Sequence, residues 1–395
     1  MAASSPSPRP SHGAVRRGRL LGAALIAGTL VAGCAQFPDD HSGTWHEQPS
    51  LKPQAGPQPH IEGRTPPPPR SSSPGKPPPP PQGCEDPDPA VVATCLEPVG
   101  ALVVLPRGQG VLVGERETGR VLHVREDREP VEIAHIPVEP VGGGGLTGLA
   151  LSPSYAEDQL VYAYVTTPTD NRVVRIAAGD PPEPILAGIP RGPTGNSGAI
   201  TTDGKGALLV ATGDAGSPDK AADATSLAGK VLRINAFGQP AAGNPTPGSP
   251  IVSSGLTAPG GLCAAPRGAA YWVTDHGSDP EALYRVQPGQ PLGTPDWTWQ
   301  DRPGVSGCAT APGMVVVALS DVPAVYTMRP TPQGGFSGQP QKAMVDTYGR
   351  FSAAALGPKG LLWLGTVNRD GGNPVSSDDR VIRVKPPAGS TAGKD

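Results

Sequence analysis

The chain has 395 residues, a formal net charge of −3 and 17% charged residues. This balance argues against nucleic acid or an anionic surface as a partner recognised by charge. Its 54 glycines and 53 prolines divide between one proline-rich tract and regularly spaced turns. What remains can bury one large core and reads as all-β with many short strands.

Arg16, Arg17 and Arg19 precede an apolar run over residues 20–33, LLGAALIAGTLVAG, which ends at Cys34. The run is shorter than the ~20 residues of a membrane-spanning helix. Basic flank, apolar core and LVAGC in this order predict a lipoprotein signal peptide over 1–33. Cleavage before Cys34 would leave its sulfur to carry a diacylglycerol thioether, because only a thiol forms one, and its new amino group to carry an acyl chain such as palmitate. Several acyl chains make a stable anchor. The expected place is therefore the cell membrane, lipid-anchored on its extracytoplasmic face. The alternative is an ordinary secretory signal with a chance cysteine. Arg16-Arg17 leaves twin-arginine export open beside the general route, although Arg19 sits where that motif prefers another residue.

Residues 34–83 follow as a linker that includes TPPPPRSSSPGKPPPPPQG. Such a tract buries no apolar surface and is expected to be disordered and polyproline-like, reaching on the order of 100–150 Å at ~3.1 Å per residue. It reads as a spacer; the alternative is a docking site for a proline-binding partner. With Cys34 lipidated, Cys84, Cys95, Cys263 and Cys308 remain, an even number for an oxidising compartment. Cys84–Cys95 is the local pairing and Cys263–Cys308 is then forced. A zinc site is the alternative, but the CxxC spacing is missing.

From residue 84 to 387 the chain repeats. A strand of small residues reaches a turn at 106, 153, 203, 266, 312 and 358 (ALVVLP, GLALSP, GAITTD, GLCAAP, GCATAP, AAALGP). An apolar strand follows (VLVGER, VYAYVT, LLVATG, YWVTDH, VVVALS, LWLGTV). A third strand comes next (VLHV, VVRI, VLRI, LYRV, VYTM, VIRV). Intervals of 46 to 63 residues between the turns have a propeller's period. The prediction is a six-bladed β-propeller of four-stranded antiparallel blades, whose small first strands suit a crowded axis. Outer strands are read at 131–138, 183–190, 296–301 and 342–349. The last unit lacks one, so VVATCLEPV (91–99) is predicted to close the ring. Cys263 and Cys308 fall in consecutive first strands, which favours their disulfide. Insertions at 213–230 and 238–250 are predicted to lie on a rim and shape a ligand site. Residues 388–395 read as a disordered tail.

Three stretches carry a resemblance: TGDAGSPDKAADATSLAGKVLRIN (212–235), GLTGLALSPSYAEDQLVYAYVTT (145–167) and WVTDHGSD (272–279). They resemble the soluble quinoprotein glucose/sorbosone dehydrogenases, six-bladed propellers that bind pyrroloquinoline quinone (PQQ) and calcium. The likeness covers about 100–385. Lipobox, spacer and domain together, with PTDNRVVRI (168–176) and WTWQDRPGVSGCA (297–309), resemble an actinobacterial lipoprotein type.

Sugar oxidation of this kind needs a base for the hydroxyl proton and a cation near the quinone oxygens. The resemblance implies a His-x-Gly-Gly motif whose histidine is oriented by an aspartate nineteen residues later. That aspartate is Asp214, but Gly195 stands where the histidine should be. Thr194 replaces an acidic sugar contact, and Gly143 replaces Gln or Glu. Gly-His-Arg-Asn-Pro-Gln-Gly becomes GLTAPGG (255–261), with Thr257 for the cofactor-facing arginine. The turn implied to bind calcium and cofactor survives in part as Asp275, His276 and Gly277, with Gly277 and Ser278 offering carbonyls to the metal.

Of the seven histidines, only His276 is placed to substitute for the base; the others fall in the signal, the linker or strands far from the axis. Each of these residues also has a plain structural reading. A lone histidine is more often structural, and Asp214 is equally a turn acid capping its loop. Asp219 and Asp223 read as solvated acids or ligands of a structural cation. Trp297 and Trp299 read as blade packing or a sugar platform.

The resulting expectation is a lipid-anchored extracytoplasmic propeller that has lost PQQ, calcium and the chemistry, and binds a carbohydrate, another envelope component or a protein. No nucleic acid is expected. The alternative is a working PQQ- and calcium-dependent aldose dehydrogenase with rearranged residues.

Overall fold

The computed structural model describes residues 80–264, 270–331 and 335–387. The predicted signal peptide, Cys34, most of the linker, the 388–395 tail and the turn at 266 lie outside them.

Six four-stranded antiparallel sheets are arranged as blades. Blade 1 holds Val99–Val104, Val111–Glu115, Arg120–Arg125 and Arg128–His135; blade 2 holds Leu146–Leu151, Val161–Thr166, Asn171–Ile176 and Glu183–Ile189. Blade 3 holds Gly198–Thr202, Leu208–Thr212, Lys230–Ile234 and Ile251–Ser254; blade 4 holds Pro259–Ala264, Tyr271–Asp275, Glu281–Val286 and Trp297–Trp299. Blade 5 holds Val305–Ala311, Met314–Leu319, Val325–Pro330 and Phe336–Ala343. Blade 6 holds Phe351–Leu356, Leu362–Thr366 and Val381–Val384. Val91–Ala93 is its fourth strand, with Val91 opposite Ile382 and Ala93 opposite Val381. The predicted closure by 91–99 is thus correct for its first residues.

The second strands of the blades are almost wholly buried. They are apolar on both faces because each is covered by a neighbouring blade on either side. The first strands crowd the axis. A Cβ on Gly261 would stand 2.6 Å from the backbone nitrogen of Cys308, and one on Gly307 would stand 2.8 Å from the Cα of Ala353. Backbone meets backbone there, which is why these strands carry Gly, Ala and Ser. They enclose a channel of about 330 Å³ lined by all six blades.

Hydroxyls join adjacent blades near the axis. Thr274 Oγ1 donates to the Ser306 carbonyl (2.6 Å), Ser306 Oγ to that of Ser352 (2.8 Å) and Ser352 Oγ to that of Val99. The Cys263–Cys308 disulfide ties the inner strands of blades 4 and 5, with Cα atoms 5.7 Å apart. Cys84–Cys95 staples the closing segment.

That segment is also held by buried charge. Arg380 bonds Asp378 (2.8 Å), Asp86 (3.0 Å) and the Tyr348 carbonyl (2.9 Å), and the Tyr348 hydroxyl donates to Asp88 (2.8 Å).

One outer strand was misplaced by sequence. Blade 5 uses Phe336–Ala343 rather than 342–349, because its outer strand is largely exposed and shows no apolar alternation. The apolar residues of 344–349 instead belong to the loop that leads back to the axis.

Candidate functional site

The first strands begin, and the second strands end, at one face of the propeller. The loops gathered there hold every residue that the sequence singled out for the family's chemistry. The 213–230 insertion lies at this face. The 238–250 insertion follows a third strand and lies at the opposite one, so only the first shapes this site.

Asp214 follows the second strand of blade 3 and is 3% exposed. Its Oδ1 accepts the Gly216 N–H at 2.7 Å, and its own N–H donates to the Thr257 carbonyl at 2.9 Å. Burial pushes its carboxyl above the ordinary value and the charge of Asp275 adds to this, while the Gly216 N–H pulls the other way.

Gly195 has φ +64°, and a Cβ there would stand 2.4 Å from Asp214 Oδ1 and 3.0 Å from the nitrogens of Ala215 and Gly216. Its carbonyl accepts the Ala215 N–H at 3.0 Å. Two things therefore hold the position to glycine: the left-handed backbone and the carboxylate that fills the space of a side chain. The loop is braced by the buried Asn196, whose Nδ2 donates to the carbonyls of Val141 (2.8 Å) and Gly192 (2.7 Å). Thr194 beside it is exposed, and a Cβ on Gly143, at φ +80°, would stand 3.9 Å from the Cβ of Ser197.

Asp275 is fully buried, and its carboxylate accepts three backbone N–H groups, from Thr257 (2.7 Å), Ala258 (2.8 Å) and Gly277 (3.1 Å). Its oxygens pin the 255–258 segment to the 276–278 turn. The Thr257 methyl lies 2.8 Å from where a Cβ on Gly277 would be, so it packs against that turn.

His276 donates its backbone N–H to the Ala258 carbonyl. Its own carbonyl accepts Arg302 Nη2 at 3.1 Å, and the Ser278 carbonyl accepts Arg302 Nη1 at 2.8 Å. The sequence reading missed Arg302. Its signal was a cationic residue in the QDRPG loop that leads into the next inner strand. Of the two carbonyls that the resemblance offers to calcium, Gly277 and Ser278, the guanidinium takes that of Ser278. Glu281 was also missed. It is buried beneath this turn and accepts the N–H groups of Gly304 and Val305, both at 3.0 Å. Burial pushes its carboxyl up, and those two bonds together with His276 and Arg302 oppose the shift.

The insertion carries its own cation. Lys230 is fully buried, and its Nζ donates to the carbonyls of Lys220 (2.9 Å), Ala221 (2.7 Å) and Ala228 (2.7 Å). Asp223 caps Thr225 through the latter's N–H (2.8 Å) and hydroxyl (2.7 Å). Among the described residues, no group of three or more His, Cys, Asp or Glu could hold a metal. Trp299 is buried and stacks on Tyr326 with centroids 5.9 Å apart, and Trp297 packs against the same core. Both belong to blade packing.

Among the described residues the arrangement supplies no base beside Asp214 and no arginine at 257, and Arg302 takes the Ser278 carbonyl. The base and the cofactor-facing arginine that the resemblance implies are therefore missing from the positions that match its motifs.

Comparison with known proteins gives the same scaffold. The sequence profile of the glucose/sorbosone dehydrogenase family matches residues 96–315. The PQQ-bound aldose sugar dehydrogenase of Streptomyces coelicolor superposes with a TM-score of 0.70 at 32% identity, over 75% of this chain and 96% of that one. An oxidoreductase (glucose dehydrogenase) of Thermus thermophilus gives 0.68 at 30% identity, over 74% and 98%. The aldose sugar dehydrogenase YliI of Escherichia coli strain K12 is 26% identical over 225 residues, half of this chain and 59% of that relative.

Proposed function

The chain belongs to the glucose/sorbosone dehydrogenase family, and we propose that it is a member that keeps the propeller without the sugar-oxidising chemistry. In this reading it is an actinobacterial-type lipoprotein, anchored through Cys34 on the outer face of the cell membrane and held off it by the 34–83 spacer. It binds a carbohydrate, another envelope component or a protein, and turns nothing over.

The observation that carries the reading is Gly195. An orienting aspartate without a base can be a stage in sequence drift, but here the carboxylate lies where a side chain would start. Thr257 and the Arg302-bound carbonyls support the same conclusion. A dye-reduction assay with PQQ, calcium and a panel of aldoses tests it. The expected rate is that of the buffer control, and turnover well above it would overturn the reading.

The second reading, a PQQ- and calcium-dependent aldose dehydrogenase with an atypical site, is favoured by the identity to the PQQ-bound Streptomyces relative. It requires Arg302 to leave the turn and the 192–196 loop to move when cofactor enters.

A further inference from the structure

The opposite face holds a cleft that none of this accounts for. Four blades carry an arginine at the same place in the third strand, each paired with an acid. Arg175 pairs with Glu183, Arg233 with Asp203 (2.8 Å), Arg285 with Asp296 (2.8 Å) and Arg383 with Glu126 (2.6 Å). In blade 1 the position is His123. Its Nε2 lies 2.7 Å from the Gln109 carbonyl, which assigns the proton to that nitrogen, and among the described residues it has no acidic partner.

The space between blades 1 and 2 stays open as a cavity of about 670 Å³, within the range of small-molecule sites. Leu112, Val161 and Ile176 form its buried wall, and Ile133, 40% exposed, stands on its rim. Arg125 lies two residues beyond His123 on the same strand face and also lines the cavity. Its Nε is buried without a hydrogen-bond partner, and no ion pair among the described residues includes it. Its stem is held in place, since a Cβ on Gly110 would stand 2.9 Å from its Cγ.

A buried donor left unpaired costs free energy that a ligand acceptor would recover. A guanidinium fork matches a carboxylate in geometry and charge. We propose that this cleft binds a small anionic amphiphile, an apolar chain or ring bearing one carboxylate. The apolar part lies against Leu112, Val161, Ile176 and Ile133, and the carboxylate sits on Arg125. The site is separate from the loops around Asp214, so neither proposal depends on the other.

Calorimetric titration of the full-length protein with decanoate below its micelle concentration tests this, with decanol and decyltrimethylammonium as matched tails. The expected result is saturable binding at one site per chain, weakened at least about tenfold for decanol, the ammonium and Arg125→Gln. Ala178→Trp, a large residue on the exposed lip of the cleft, should abolish it. Absence of saturable decanoate binding, equal binding of decanol, or equal binding by a folded Arg125→Gln protein would each overturn the proposal. The comparison of the three ligands on unaltered protein holds whatever happens to the variants.

Discussion

The loops around Asp214 and the cleft between blades 1 and 2 lie at opposite faces of one propeller and differ in what their charged groups meet. In the first, Asp275 is capped by three N–H groups, Asp214 by one, and Arg302 by two carbonyls. In the second, Arg125 Nε is buried without a partner beside an open, apolar-walled space; Ser197 Oγ and Arg191 Nε in the loop before blade 3 are also buried and unpaired. A polar cluster that satisfies itself works as a clasp, whereas groups left unsatisfied beside an open space mark a place for a ligand. Resemblance directs attention to the first face; an unpaired guanidinium donor lining a cavity of about 670 Å³ directs it to the second.

If the Asp214 face is a clasp, changes there should cost stability. The largest effect is expected at the closing seam of the same face, where Arg380→Ala strands Asp86 and Asp378 in the interior. A loss of about 3–5 kcal/mol is predicted from denaturant unfolding. Asp275→Ala leaves three N–H groups unpaired and should cost about 2–4 kcal/mol. Gly195→Ala should cost about 1–2 kcal/mol for the left-handed backbone alone, and more if the Asp214 carboxylate cannot move. A neutral Gly195→Ala would mean that this loop re-forms easily, which would reopen the case for a side chain there.

The pH dependence is a smaller effect. The folded state holds the Asp214 proton more tightly than the unfolded chain does. Ionising the group therefore costs stability as pH rises from the ordinary value of 3.8 through the raised folded value. Asp214→Asn removes that cost, so the variant should gain on the parent as pH climbs across this window. Unfolding midpoints at a series of pH values read it directly. The smallest effect is expected at the other face. Arg125→Gln should leave stability within about 0.5 kcal/mol, because no hydrogen bond or ion pair among the described residues involves that guanidinium. A larger loss would make Arg125 structural and weaken the contrast.

The propeller was legible in the sequence because its signals are local and repeated. Small residues before a turn mark the axis, and an apolar run after it marks a strand covered on both faces. The closure by 91–99 followed from counting strands, and the Cys263–Cys308 bond from equivalent positions in consecutive repeats. The outer strand of blade 5 escaped because FSGQPQKA is exposed and carries no alternation, while Met344, Val345 and Tyr348 in the following loop imitate one.

The site was half legible. Gly195 and Thr257 stood out as departures from a pattern. Nothing in the string GLTAPGG or TDHGS shows whether Asp275 faces a ligand or caps a backbone, since a carboxylate beside a tight turn serves both. Arg302 and Arg125 were missed for a related reason. Whether an arginine is satisfied depends on carbonyls and acids contributed by other strands and loops, which residue order does not reveal.

The central claim, that this family member has kept the fold without the chemistry, is tested most directly by calorimetric titration of the calcium-loaded protein with PQQ. The account predicts no saturable heat up to high micromolar cofactor. Saturable binding accompanied by aldose-dependent dye reduction would contradict it.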